Sequence, residues 1–371
     1  GSKTIFKIET EDSIYIWEPF SNNYQNIYSI ERNLYKNIPG NKILFEEINH
    51  DLKLVFSYSW SNSEKYGFVK NSKIKNNSSS DFTLEILDGI QNILPFGMNQ
   101  QFQTEYSTLA DGYKKNELIK EYGIGVFSLS SIPSDKAEPS ESLKATTVWS
   151  SGINVENYLL CSNQINAFRS GLKINNETDV KATRGAYFVN GSFKLSGESA
   201  TDWLIVGDIN KDTTDLVELI EQIQWDKSIV NTVLKDVETG TEGLRKIVAT
   251  SDGLQVSKDT LGTSRHFANV LFNVMRGGIF DDSYNIDRDD FISFVKIANK
   301  RAYNLHNQFL IAMDKNIKYG ELKGRIKDLN DSELLKLSLE YLPLTFSRRH
   351  GDPSRPWNRF SIDIKDEENN K

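Results

Sequence analysis

The sequence predicts a β-rich α+β protein in which a large antiparallel β-sandwich is followed by a helical region and an arginine-rich loop. From residue 3 to about residue 210, short segments rich in aromatic and β-branched residues alternate with polar or glycine-containing connections. After Asp208, apolar residues recur at helical spacing behind residues that cap helices. Many short strands with turn signals between them are typical of a sandwich rather than of a parallel α/β sheet.

The first region is predicted to form strands separated by turns. The segment 52–60 alternates with a period of two, which is typical of a strand with one buried face. One helix is predicted over 99–122, where apolar residues from Phe102 to Tyr113 keep helical spacing. The other predicted strands are 14–17, 82–87, 125–129, 145–149, 158–161, 185–189 and 203–207.

The helical region is predicted from capping residues that precede apolar periodicity. Asp212 and the two threonines after it cap a first helix, and Asp287 and Asp331 each begin a later one. Two more helices are predicted at 229–237 and 242–250, and no internal repeat is recognised. The predicted division is a sandwich at 3–210, a helical linker at 211–345, and at 346–371 the arginine-rich loop with the start of a following catalytic domain.

Composition restricts the classes of partner. The chain has 371 residues, of which 38% are hydrophobic and 26% charged, as expected for a folded globular protein. The formal net charge of -7 argues against a nucleic-acid partner, because phosphate binding relies on a basic surface. Cys161 is the only cysteine in the sequence, which excludes an intrachain disulfide and a cysteine-rich zinc site.

Localisation is predicted from the composition of the N-terminus and from the length of the apolar runs in the sequence. The sequence contains no run of about 18 apolar residues, so no membrane partner is expected. The N-terminus lacks the basic and apolar layout of a signal peptide, and a cytoplasmic location is predicted. Gly1-Ser2 without a methionine looks like a tag remnant, so a periplasmic or secreted location stays open if a leader was removed.

The loop 348–360 is the densest group of chemically capable side chains in the sequence. Its two prolines disfavour a helix or a central strand, so a loop is predicted to present these side chains. Arginine holds carboxylates or phosphates bidentately, Asp and His can bind hydroxyls, and Trp can stack on a sugar. The alternative is an internal ion-pair network in which Asp352 satisfies the arginines. The candidate binding residues are Arg348, Arg349, His350, Asp352, Arg355 and Trp357.

Other motifs are interpreted as structural. The four histidines show no metal-ligand spacing, and the sequence has no Gly-x-Ser-x-Gly elbow and no Walker A loop. The acidic segment 281–290 lacks the sixth-position glycine and the final glutamate of an EF-hand loop, so a helix start is predicted. Asp88-Gly89 and Asp252-Gly253 are interpreted as turns.

Four segments together resemble the N-terminal portion of large bacterial carbohydrate-active enzymes related to cellobiose phosphorylases and amylo-α-1,6-glucosidases. These segments are 87–95, 141–149, 266–278 and 348–360. The resemblance implies a galactose-mutarotase-like supersandwich, then a helical linker, then an (α/α)6 barrel that carries the catalytic carboxylates. The sequence ends before a recognisable barrel, so no catalytic residue and no metal ligand is assigned.

The resemblance implies a non-catalytic region of a glycoside hydrolase or glycoside phosphorylase that supports the barrel and shapes its carbohydrate cleft. The expected partners are an oligo- or polysaccharide and the C-terminal barrel domain. No cofactor is expected, although inorganic phosphate would be a co-substrate of the complete protein if it is a phosphorylase. The alternatives are a free-standing carbohydrate-binding protein and a structural module that forms a homodimer through its long helices.

Overall fold

The computed structural model describes residues 1–10, 13–24, 26–132, 142–250, 254, 258, 260–275, 279–280, 285–341 and 344–345. Contacts divide the chain into two units, Gly1–Thr241 and Glu242–Lys371. The division predicted from the sequence, with boundaries near residues 210 and 345, stays a prediction.

Strands build most of the first unit. In chain order they are β1 Ser2–Glu9, β2 Ile14–Trp17, β3 Ile30–Lys36, β4 Ile43–Asn49, β5 Leu54–Ser63, β6 Gly67–Asn76, β7 Phe82–Ile93, β8 Lys114–Ile119, β9 Ile124–Leu129, β10 Ala145–Ser151, β11 Asn157–Leu159, β12 Asp179–Lys181, β13 Gly185–Leu195 and β14 Ala200–Lys211. Its helices are α1 Gln100–Glu105, α2 Ser107–Gly112, α3 Ile165–Arg169, α4 Thr213–Trp225 and α5 Ile229–Thr250, the last of which continues into the second unit.

These strands form two antiparallel sheets. The smaller sheet has the order β11-β13-β7-β1-β2, and the larger has the order β12-β8-β9-β10-β14-β6-β5-β4-β3. Every strand pair among the described residues is antiparallel, which confirms the predicted β-rich sandwich class. Side chains from both sheets share one core, which includes Phe6, Trp17, Phe56, Ile86 and Trp203.

The larger sheet is buried on both faces around β14. Trp203 belongs to the core between the sheets, whereas Leu204 and Val206 pack with Ile229 and Val233 of α5. A strand covered on both faces needs no polar alternation, which explains the continuous apolar run from Trp203 to Val206. The helical cover is fixed at its start by Asp212, whose side chain accepts hydrogen bonds from two backbone amides of α4, as predicted.

Three expectations about the first unit were wrong. The predicted helix over 99–122 ends at Gly112, because Lys114, Asn116 and Leu118 alternate inward on β8 and are buried there. The runs 229–237 and 242–250 are helical as predicted, but they form the single helix α5, which crosses from the first unit into the second, rather than two helices. Asp88-Gly89 lies within β7 rather than in a turn, while Asp252-Gly253 lies outside the described residues.

Gly89 is required by the close approach of the neighbouring strand β13. A Cβ at this position would lie 2.2 Å from the carbonyl oxygen of Tyr187 and 2.4 Å from the ring of Phe188. Glycine therefore serves sheet packing at this position, and the Asp-Gly pair does not indicate a turn.

The second unit is mainly helical. Its elements are α6 Thr260–Met275, β15 Ile279–Phe280, β16 Asn285–Asp287, α7 Arg288–Ala298, α8 Lys300–Ala312, β17 Asn316–Lys318, α9 Tyr319–Lys327, α10 Ser332–Glu340 and β18 Leu344–Thr345. Asp287 caps α7 and Asp331 caps α10, as predicted. The candidate EF-hand segment thus supplies a helix start, although 281–284 lie outside the described residues.

The second unit contains an internal repeat that the sequence prediction missed. A short strand followed by two helices occurs twice, as β16–α7–α8 and as β17–α9–α10, and the two strands pair with each other. Both copies contribute to one core, so each half buries its apolar face against the other. The buried residues at equivalent positions are Ile286 and Ile317, Phe291 and Leu322, and Val295 and Ile326.

Candidate functional site

The predicted binding loop lies outside the part of the chain that the structure describes. No position or contact is therefore assigned to its candidate residues, which are Arg348, Arg349, His350, Asp352, Arg355 and Trp357. Their proposed role in binding a saccharide or a following domain stays a prediction.

Two of the four segments that carry the family resemblance meet in the first unit. The segment 87–95 forms the end of β7 and the residues after it, and residues 145–149 of the second segment lie in β10. The hydroxyl of Thr146 donates a hydrogen bond to the carbonyl oxygen of Leu94 over 2.8 Å. The third segment contributes to α6 in the second unit, up to Met275.

A cleft of about 290 Å³ opens beside Leu94, and we name it the 92–94 cleft. Its volume is at the lower end of the range that is usual for small-molecule sites. It lies near the edge of the sandwich where β8 and the ends of β7 and β13 come together. Its lining consists of Asn92, Ile93, Leu94, Gln103, Lys114 and Arg184.

A β-bulge places Asn92 in this cleft. Gly185 pairs with Ile93 and Ala186 pairs with Gln91, so Asn92 is the extra residue of β7. Its φ of 59° is a left-handed conformation that asparagine adopts more easily than most residues. Bulges commonly redirect a side chain beside a functional site, and this bulge adds an amide to the lining of the cleft.

Lys114 is the buried cation of the cleft. Its Nζ lies 2.7 Å from Asp111 Oδ1 and 2.5 Å from Gln103 Oε1. Arg184 Nε lies 3.4 Å from Asp111 Oδ2 at the more exposed side. Burial raises the pKa of Asp111, but hydrogen bonding and charge attraction from Lys114, with help from Gln103 and Arg184, outweigh that effect and lower it. Asp111 is therefore an anion that orients the two cations.

The lining suits recognition of hydroxyls or an anion rather than bond cleavage. Two cationic and two amide side chains can donate hydrogen bonds to oxygen atoms of a ligand. Among the described lining residues there is no carboxylate, and Asp111 next to them is already paired with Lys114. Glycoside cleavage uses two carboxyl groups on opposite sides of the scissile bond, and the 92–94 cleft does not present such a pair.

The described residues bear on two further kinds of reactive site, a metal cluster and a cysteine nucleophile. No group of three or more metal-ligating side chains occurs among these residues. Burial raises the pKa of the Cys161 thiol to about 11, so the sulfur is protonated at neutral pH and is a poor nucleophile. No helix within these residues has the length and apolarity needed to cross a membrane.

None of the residues that line the 92–94 cleft is predicted as a binding residue from the sequence. Asn92 lies in segment 87–95, but the sequence gives no reason to assign it a binding role, and Asp88-Gly89 nearby is interpreted as a turn. Lys114 fell inside a helix that was predicted too long, and the bulge at Gly185 depends on pairing between distant strands. Burial alternates along Lys114–Ile119, but the sequence there is four polar residues followed by two apolar ones, so it gives no period-two pattern that would indicate a strand.

Comparison with known proteins gives one family match. Residues 280–343 match the family described as glycoside hydrolase family 149 insertion domain 1. This part of the chain lies between the third and fourth segments that carry the resemblance and contains the whole repeat of the second unit, from β16 to α10. No protein of curated function matches the sequence.

Several solved structures are similar at low sequence identity. A bacterial glucoamylase in complex with acarbose has 9% identity and a TM-score of 0.45, with 81% of this chain and 42% of that chain covered. A candidate kojibiose phosphorylase from the human microbiome has 12% identity and a TM-score of 0.39, with coverages of 80% and 36%. A galactose mutarotase-like protein from Clostridium acetobutylicum has 12% identity and a TM-score of 0.24, with coverages of 57% and 80%.

The chain thus spans less than half the length of the glucoamylase and of the candidate phosphorylase. The match at 280–343 rests on sequence and is independent of these structural likenesses. For this part of the chain, the match confirms the resemblance to carbohydrate-active enzymes, and residues 280–343 are similar to an insertion domain of a glycoside hydrolase family.

Proposed function

We propose that this chain is a non-catalytic N-terminal region of a glycoside hydrolase or glycoside phosphorylase. Its sandwich and helical linker would support a following (α/α)6 barrel and shape the carbohydrate cleft of that barrel. The observation that carries this proposal is the match of residues 280–343 to an insertion domain of glycoside hydrolase family 149. The four sequence segments that resemble related enzymes support the same class of protein.

In this proposal the 92–94 cleft contributes binding groups rather than reacting groups. Lys114 and Arg184 are held by Asp111, so their donors are oriented before a ligand arrives. Asn92 adds an amide that can both donate and accept hydrogen bonds. Such a set fits the hydroxyls of a saccharide, and its positive charge also fits inorganic phosphate if the complete enzyme is a phosphorylase.

The arginine-rich loop is proposed to lie at the junction with the barrel. Arg348, Arg349 and Arg355 would bind carboxylates of the barrel or anionic groups of a ligand, and Trp357 would stack on a sugar ring. A cytoplasmic protein without a resident cofactor is consistent with this proposal, and a homodimer is an additional proposal that molar-mass measurement can test.

The test compares this chain with the complete gene product. Both would be incubated with cellobiose, maltose and kojibiose, with and without inorganic phosphate, and the released sugars and sugar phosphates would be quantified. Turnover by the complete protein and none by the chain alone is expected. Robust turnover by the chain alone would contradict the non-catalytic role, and dependence on phosphate would distinguish a phosphorylase from a hydrolase.

A further inference from the structure

A second cleft, of about 360 Å³, lies at the opposite edge of the sandwich. There β2 ends the smaller sheet and β3 ends the larger one, whereas the 92–94 cleft lies toward the other end of the larger sheet, where β8 lies next to the edge strand β12. We name it the Tyr24 cleft. It is lined by Trp17, Glu18, Ser21, Tyr24, Asn26, Tyr28, Ile30, Arg32 and Glu47.

Glu18 is one of two buried carboxylates in this cleft, and it is 1% exposed. Lys3 Nζ lies 2.6 Å from one of its oxygens, and Arg169 Nε lies 2.8 Å from the other. Burial raises the pKa of Glu18, but the hydrogen bonds and charges of Arg169 and Lys3 outweigh burial and lower it. Glu18 is therefore an anion that fixes two cations beside the cleft.

Glu47 is the second buried carboxylate, also 1% exposed. It accepts hydrogen bonds from Trp17 Nε1 over 2.8 Å and from the backbone nitrogen of Phe20 over 2.6 Å. Arg32 Nε lies 2.7 Å from it, and another nitrogen of Arg32 donates to the carbonyl oxygen of Ser21. The guanidinium of Arg32 is thereby held at the cleft in one orientation.

Aromatic rings line the cleft next to these charges. The rings of Tyr24 and Tyr28 are stacked, with centroids 6.4 Å apart and an angle of 29° between their planes. The Tyr28 hydroxyl donates a hydrogen bond to the carbonyl oxygen of Ile16 over 2.9 Å, which fixes that ring. Burial first and the charge of Glu18 second raise the pKa of Tyr24, against the opposing effect of Arg169, so its hydroxyl stays a donor at neutral pH.

This combination favours one class of ligand. A sugar ring presents an apolar C–H face that can pack on an aromatic ring, and hydroxyls at its edge that both donate and accept hydrogen bonds. A purely apolar ligand would take water from the exposed part of Arg32 without replacing its hydrogen bonds. The charges of Glu18 and Glu47 are nearly balanced by Lys3, Arg169 and Arg32, so the cleft offers no large net charge to a strongly anionic ligand. The volume is within the range for small-molecule sites and suits a ligand of one or two sugar rings.

We infer that the Tyr24 cleft is a non-catalytic saccharide-binding site for the end of a neutral oligosaccharide. Tyr24 supplies the stacking surface, and Arg32 and the Tyr24 hydroxyl bind hydroxyls of the sugar. The carboxylates of Glu18 and Glu47 are already satisfied by protein donors, so they position the cations and do not take part in cleavage. The inference rests on this geometry, and it extends the proposed function by adding a binding site on the sandwich itself.

The test is calorimetric titration of this chain with glucose, cellobiose and maltotriose. At least one of these sugars is expected to bind with a millimolar or lower dissociation constant. Tyr24→Ala should weaken that binding about tenfold, as expected when an anchoring aromatic ring is removed. Tyr24→Phe keeps the ring and should retain affinity within about threefold.

Tyr35→Ala is the matched control, because Tyr35 is an exposed tyrosine of β3 that does not line the cleft. The Tyr35→Ala variant should bind the sugar with the same affinity as the unchanged chain. Circular dichroism would verify that all variants fold. No binding of the three sugars, or equal affinity in Tyr24→Ala and the unchanged chain, would overturn the inference. An equal loss in Tyr24→Phe and Tyr24→Ala would overturn the stacking role. Binding is measured without turnover, so its failure is distinguishable from failure of the proposed enzymatic role.

Discussion

The indole Nε1 of Trp203 donates a hydrogen bond to Asp88 Oδ2 over 2.7 Å, across the interior between the two sheets. The other oxygen of Asp88 accepts a hydrogen bond from Thr4 and contacts the ammonium group of Lys70. Ser72 donates over 3.2 Å to the same oxygen as Trp203. Asp88 and Lys70 are both 0% exposed, so this carboxylate links the sheets through a fully buried polar network.

Replacing Asp88 by Asn is expected to destabilise the first unit by roughly 3–5 kcal/mol, because it leaves the charge of Lys70 buried without its partner. Burial already lowers the pKa of Lys70 against the opposing effect of Asp88. Urea unfolding followed by tryptophan fluorescence measures the change, since five of the six tryptophans lie before residue 242.

Two further variants make the Asp88 prediction specific. Adding Lys70→Met to Asp88→Asn should recover part of the lost stability, because the unpaired charge is then removed as well. Asp202→Asn, at an exposed position on β14, should change stability by less than about 0.5 kcal/mol. Equal effects of Asp88→Asn and Asp202→Asn would contradict the role of the buried network.

The free energy of unfolding of the first unit should decrease in acid, because Glu18 loses its charge there. Its pKa in the folded chain is below the usual value of 4.5, so the unfolded chain binds more protons as the pH falls below 4.5. The stabilisation from Glu18 is therefore present above pH 4.5 and is lost as the pH falls through the folded pKa.

Glu18→Gln should consequently lower the urea midpoint at pH 7 and reduce its decrease between pH 7 and pH 3. Glu9→Gln is the control, since Glu9 is an exposed glutamate on the neighbouring strand β1. A midpoint for Glu18→Gln that falls with pH as steeply as that of the unchanged chain would show that Glu18 does not carry this dependence.

Lys114→Met in the complete protein is expected to weaken the apparent affinity for saccharide or phosphate about tenfold, with a smaller change in kcat. The reason is that the 92–94 cleft would lose its oriented buried cation while the reacting groups lie elsewhere. Steady-state kinetics measures both parameters. Lys115→Met removes the next lysine, which is partly exposed and paired with Glu117, and should leave KM unchanged. Equal KM values for the two variants would argue against a binding role for Lys114.

Cys161 is expected to react slowly with thiol reagents in the folded chain. Its sulfur is buried and its pKa is raised to about 11, so little thiolate is present at pH 8. Reaction with Ellman's reagent at pH 8 should be slow in buffer and should accelerate by at least about a hundredfold in 6 M urea. A fast reaction of the folded chain would show that the thiol is accessible and ionised.

The sequence predicted the class of fold because local signals agree with it. Some structural signals depend only on residues that are close together in sequence, and the structure confirms them. They are the alternation along β5 and the helix caps Asp212, Asp287 and Asp331. The predictions were wrong where contacts between residues distant in sequence determine the local structure. Gly89 is a glycine because β13 approaches it, and Lys114 is buried by partners that include Asp111.

Neither cleft could be predicted from local sequence. The 92–94 cleft depends on a bulge between β7 and β13, which are about 90 residues apart in the chain. In the Tyr24 cleft, Glu18 is held by Arg169, which lies 151 residues later in the chain and beside the cleft because α3 packs against β2. The repeat in the second unit was missed because its two copies share a pattern of burial more than identical residues.

The position of β14 has a consequence for synthesis of the chain. This strand lies between β10 and β6 and joins the two halves of the larger sheet, although it is the last strand of that sheet to be made. Until Lys211 has left the ribosome, β6 and β10 each present an unpaired edge, which is the kind of surface that associates with other chains. At roughly 5–20 residues per second, this exposure after β6 lasts on the order of ten seconds. We therefore expect a nascent chain of this protein to need protection of these strand edges until β14 is made, and truncation just before Ala200 should yield aggregates rather than a smaller folded sandwich.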